Sequence, residues 1–112
     1  KGERRVYPLT FRYLLHGGPS DAKERVLARY AYKGKTICRT VKRNLRLAEN
    51  DLSRYAMDGN YVTVVDNGYG ETAIYLALCN PDMHITAVID DEDRKQIARI
   101  SSENFIGNIE IR

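Results

Sequence analysis

The 112 residues, 43% hydrophobic and 29% charged, suffice for one domain with a modest core. No apolar run approaches the ~18 residues of a membrane span and no secretory leader opens the chain. The expected compartment is therefore the cytoplasm, or the cytoplasmic side of a membrane protein, with Lys1 reading as a cut inside a longer polypeptide.

Charge divides the chain. Residues 1–60 hold 14 Lys and Arg against 6 Asp and Glu, whereas residues 61–112 hold 4 against 9. The expected organisation is a basic helical lead-in over 1–60 and an acidic half domain over 61–112, folded as one unit and attracting each other. Cys38 and Cys79 fit reduced core thiols, and no Cys/His set has metal-ligand spacing.

Pro8 can open a short helix over Leu9, Tyr13 and Leu14, with His16 beside its glycine stop. Ser20 or Asp21 caps a second helix, Glu24 completing a capping box, and Gly34 ends it. A long helix is expected from Thr36 to Ala56. Ile37, Val41, Leu45, Ala48, Leu52 and Tyr55 recur every three or four residues as its buried stripe. Arg39, Lys42, Arg43 and Arg46 share another face. Four clustered cations suit a solvated face, or contact with an anionic lipid surface. No aromatic residues interleave them, which argues against nucleic acid. Met57 to Asn60 reads as a linker.

From Tyr61 the pattern changes. Tyr61–Val65 is a β-branched run of buried-strand length. Gly68, Tyr69 and Gly70 turn the chain. Thr72–Cys79 has helical spacing, and Asn80, Pro81 and Asp82 stop it. His84 lies in the turn before a second β-branched run, Ile85–Ile89. Asp90 or Asp91 then caps a helix to about Asn104, its acidic first turn matching the helix dipole. Gly107 and Asn108 lead to a third strand, Ile109–Arg112. The fold class is α/β: helices, then β-α-β-α-β with parallel strands in order 3-2-1, a partial doubly wound, Rossmann-like domain. Its first strand would lie at an open edge with no Lys, Pro or charge to blunt it. A homodimer pairing Tyr61–Val65 antiparallel with a second copy is the expected remedy.

Strand, glycine turn, helix, strand and acid form a unit that binds nucleotide-like ligands at the carboxyl ends of its strands. The segments GYGETAIYLALCNPD and HITAVIDDEDRKQIAR resemble motif I and its sequel in class I methyltransferases that use S-adenosylmethionine. The lead-in YAYKGKTICRTVKRNLRLAENDLSRY resembles the approach to the methyltransferase-like segment of large bacterial exporter/acyltransferase/methyltransferase fusions. The resemblance covers about Ala28 to Arg112. It implies that Asp66, Asn67, Gly68, Tyr69 and Gly70 hold the methionine end of the cofactor and Asp90 its ribose. It also implies a lipid-related or carrier-linked acceptor and neighbouring domains as partners.

Aligned without gaps, the family's acid-x-Gly-x-Gly-x-Gly falls on Val64 to Gly70. Val64 takes the acid slot and Asp66 the first glycine slot, while the ribose acid falls on Ile89, one place before Asp90. The cofactor motif therefore reads as eroded. A degenerate, non-catalytic docking module is the alternative. A third reading takes Gly68–Ala73 as the dinucleotide fingerprint G-x-G-x-x-G/A, with Asp90 on the ribose of NAD. The sequence names no general base.

Overall fold

Three parallel strands carry the described architecture. In a computed structural model, which describes residues 18–50, 56–58, 61–103 and 107–112, helices α1 (Gly18–Ala28) and α2 (Lys35–Asn50) flank a single 3₁₀ turn, Ala31–Lys33. Strands β1 (Ala56–Asp58) and β2 (Tyr61–Val65) follow, then α3 (Glu71–Cys79), β3 (His84–Val88), α4 (Glu92–Ser102) and β4 (Ile109–Ile111). The sheet runs β1-β2-β3-β4; β2, β3 and β4 are parallel, and β1 is antiparallel to β2. The α/β class and the adjacency of the three parallel strands match the sequence reading. The short helix expected after Pro8, with His16, lies outside the described residues.

Three boundaries need correction. The helix expected to run to Gly34 ends at Ala28, and the 3₁₀ turn follows it. The long helix does not continue to Ala56, because Ala56 and the expected linker residues Met57 and Asp58 are β1, paired with Thr63, Val62 and Tyr61. The edge of the expected open strand is therefore paired from within the chain over Tyr61–Thr63. His84 is likewise the first residue of β3, not a turn residue; its ring lies 5.4 Å from that of Tyr61.

α3 explains how the layers assemble. Its residues Glu71 to Ala77 are all buried, as is Cys79. A helix apolar on all sides must be covered all round. The sheet covers one side through Val62, Val64, Ile85 and Ala87, all at most 1% exposed. α1 and α2 pack on α3 from the other, supplying Val26, Tyr30, Val41, Leu45 and Ala48. The apolar stripe of α2 thus faces inward, and Arg39, Lys42, Arg43 and Arg46 are exposed, as the spacing predicts. Lys23 ties α1 to α2 through Glu49 at 2.6 Å. The amide of Asn108 lies 2.7–3.2 Å from the carbonyls of Ala77, Asn80 and Met83 and anchors the entry to β4.

Strand β2 is buried on alternate residues only. Tyr61 and Val65 are 62% and 70% exposed, so a strand expected to be wholly buried has an uncovered face among the described residues. Parallel sheets are usually covered on both faces. No described helix is long and apolar enough to cross a membrane. Neither cysteine forms a disulfide: Cys38 is half-buried, its thiol donating to the carbonyl of Tyr30 at 3.3 Å, and Cys79 is buried.

Candidate functional site

The parallel strands point their carboxyl ends at one rim of the sheet, where Asp66 follows β2 and Ile89–Asp90 follow β3. The amide of Asp66 donates to the carbonyl of Val88 at 3.0 Å, which sets the two loops side by side. That rim is where open α/β sheets commonly take ligands.

Asp66 leaves the strand and turns inward. It is 6% exposed, and its Oδ1 accepts the Gly68 amide at 2.8 Å. Burial raises its pKa, while the backbone N–H groups of Gly68, Ala73, Thr72 and Gly70 act in the opposite sense. Its Oδ2 is buried without a hydrogen-bond partner. Val64, by contrast, is in mid-strand and 1% exposed, in the core. Val64 therefore belongs to the core, and Asp66 is the first acid beyond β2.

Glu71 is a site residue that the sequence reading missed. It is wholly buried, its Oε1 accepting the Tyr69 amide at 2.6 Å and its Oε2 accepting from the side chain of Asn44 on α2. Burial pushes its pKa up to about 7, and the nearby Asp66 charge adds to the rise against the hydrogen bond from Asn44. The two buried carboxyls therefore resist being ionised together. Tyr30 of the α1–α2 connection closes the cluster. Its hydroxyl donates to the Tyr69 carbonyl at 2.8 Å, and burial, Glu71 and Asp66 together hold its pKa well above the usual tyrosine value. The available signal was Glu71 itself, a charged residue opening a helix whose other faces are apolar.

Both glycines of the turn are fixed by the protein. A Cβ on Gly68 would overlap the Glu71 carboxylate and lie 2.9 Å from Asn44 Nδ2. Gly70 has φ +85° and N-caps α3; a Cβ there would lie 2.6 Å from the Cβ of Ala98 on α4. The space beside the two glycines is taken by a buried carboxylate and by a neighbouring helix.

The remaining predicted residues lie at the surface of the rim. Asn67 and Asp90 are exposed and Tyr69 is half-buried. Ile89, which took the ribose-acid slot, is 2% exposed and belongs to the core, leaving Asp90 as the first exposed acid beyond β3. Asp91 caps α4, its carboxylate accepting the Arg94 amide at 3.0 Å. Arg94 reaches across the rim: its Nη1 donates to the Asn67 carbonyl at 2.6 Å, and its guanidinium lies 5.7 Å from the centre of the Tyr69 ring. A cleft of about 220 Å³ beside the turn is lined by Arg43, Asn44, Asp66, Asn67, Gly68 and Thr72. A second cavity, of about 510 Å³, has Tyr32, Tyr69, Asp91, Arg94 and Ile97 among its walls. The four cations of α2 do not converge on the turn: Arg43 lines the smaller cleft, and Lys42 and Arg46 line a groove on another side of the helix. No group of three or more metal-ligating side chains occurs among the described residues.

The fold and site define an α/β protein with a glycine turn and buried acids at the carboxyl rim of a parallel sheet. Comparison with known proteins returns no matching family model, no matching curated protein and no matching solved structure.

Proposed function

We propose that this chain is the cofactor-facing half of a class I methyltransferase-like domain, a partial Rossmann-like unit that takes an S-adenosylmethionine-type ligand at Asp66–Gly70 and Asp90. The observation that carries the reading is the buried acid pair at the start of α3. A helix N-terminus that receives a pyrophosphate offers it unpaired N–H groups and a positive field. Here the Asp66 carboxylate accepts the Gly68 amide and Glu71 accepts that of Tyr69. Two carboxyls so placed favour a sulfonium or ammonium group over the diphosphate of NAD, and so the adenosyl ligand over the dinucleotide. The ligand supplies an activated methyl group; the chain's own residues bind and orient it. Asp90 is free to accept hydrogen bonds from ribose hydroxyls because Asp91, not Asp90, caps α4. The acceptor class carried by the resemblance is lipid-related or carrier-linked, with neighbouring domains of a larger protein completing its side of the site.

A second reading, the degenerate docking module, has one specific observation in its favour. Arg94 spans the rim between Asn67 and Tyr69, and both turn glycines are packed against protein. Titration calorimetry with S-adenosylmethionine, S-adenosylhomocysteine and NAD separates the two. Saturable binding of the first two but not NAD, lost in Asp90→Ala, supports the methyltransferase reading. Binding of none of them, in this chain and in a longer one, supports the docking module.

A further inference from the structure

A groove between α1 and α2 encloses about 600 Å³, within the range of small-molecule sites, and the cofactor reading makes no use of it. Its floor is apolar, built by Leu27, Ala28, Ala31, Cys38 and Leu45. Its charged lining is three cations, Lys23, Lys42 and Arg46, and one acid, Glu24. Lys23 is engaged by Glu49. Lys42 and Arg46 are exposed, one turn apart on α2, and neither has an ion-pair partner among the described residues.

An apolar floor alone would accept any alkyl chain, and two cations alone any anion. Their juxtaposition selects a ligand having both. We propose that the groove binds a single-chain anionic amphiphile, with its chain on the floor between Leu27 and Leu45 and its phosphate headgroup held by Lys42 and Arg46. The long stems of both side chains can lie along the chain while their charged ends stay at the water boundary. The proposal does not depend on the cofactor reading. α2 turns Cys38, Lys42 and Leu45 to the groove, and Arg43 and Asn44 to the cleft beside the glycine turn.

The test is calorimetric titration of the chain with dodecyl phosphate below its micelle-forming concentration, with dodecyl maltoside as the uncharged control and inorganic phosphate as the chainless one. Dodecyl phosphate is expected to fill one saturable site, and neither control to match it. Lys42→Glu combined with Arg46→Glu should weaken binding at least about tenfold. Ala31→Trp, which fills the groove from an exposed position, should abolish it; Ala28→Trp repeats that test if circular dichroism shows the first variant unfolded. Occupancy should also slow alkylation of Cys38, the half-buried thiol. Equal binding of dodecyl maltoside, equal binding of inorganic phosphate, no binding of dodecyl phosphate, or unchanged affinity in the folded variants would each overturn the proposal.

Discussion

Replacing Glu71 by Gln tests the buried acid pair directly. Glu71 is 0% exposed, and its carboxyl protonates near 7, against an ordinary value of 4.5. Between those values the folded chain holds a proton that the unfolded chain has released. Stability therefore falls as pH rises from about 4.5 to about 7 and is flat above, once both states are ionised. The full span of that shift corresponds to at most about 3 kcal/mol, shared with Asp66 because the pair titrates together. The Glu71→Gln substitution removes the charge and keeps the shape. The new side-chain carbonyl can accept the Tyr69 amide, and the new side-chain amide can donate to Asn44 once that residue flips. Urea unfolding followed by circular dichroism from pH 5 to pH 8 should show wild-type stability declining up to about pH 7 and levelling off above it. Glu71→Gln should be near wild type at pH 5 and more stable by about 1–3 kcal/mol at pH 8. Glu110, held low by Arg112, titrates below this window and cannot imitate the effect. Parallel profiles for the two proteins, or wild-type stability that rises with pH, would refute the reasoning.

Three further outcomes follow from named contacts. Gly70→Ala combines a left-handed φ with a 2.6 Å overlap on Ala98 and should cost about 3 kcal/mol or more. Gly34→Ala has φ +95° but nothing within 4 Å and should cost only about 1–2 kcal/mol; equal losses in thermal melts would show that Ala98 does not crowd the turn. Arg94→Ala removes the bridge from α4 to Asn67 and should raise affinity for S-adenosylhomocysteine measured by calorimetry, whereas a fall would make Arg94 part of the binding surface. Changing Lys42 and Arg46 to Gln should alter urea stability by less than about 1 kcal/mol, since both lie on the exposed side of α2; unfolding of the pair would mean that this face is packed.

The parts of the fold legible in the sequence are those fixed by local pattern. Val62, Val64, Ile85 and Ala87 mark the two central strands, the stop after Cys79 is written in Asn80 and Pro81, and the stripe of α2 gives its buried side. β1 was not legible, because Ala-Met-Asp has no strand preference of its own and is ordered by pairing with Tyr61–Thr63. The glycine turn was legible, but what fills the space beside it was not. A sequence shows that Gly70 has no side chain, not whether the space is kept for a ligand or for Ala98. Glu71 was missed for a related reason: its burial depends on α1 and α2 closing over α3, a long-range event that no local window contains.

The central claim is that an adenosyl ligand meets the chain at the carboxyl rim of β2 and β3. Amide-resolved NMR during titration with S-adenosylhomocysteine tests it most directly. The account predicts saturable shifts at Asn67, Gly68, Tyr69 and Gly70 together with Asp90 and Asp91. Shifts confined to α1 and α2, or none at ligand concentrations that saturate a longer form of the protein, would contradict it.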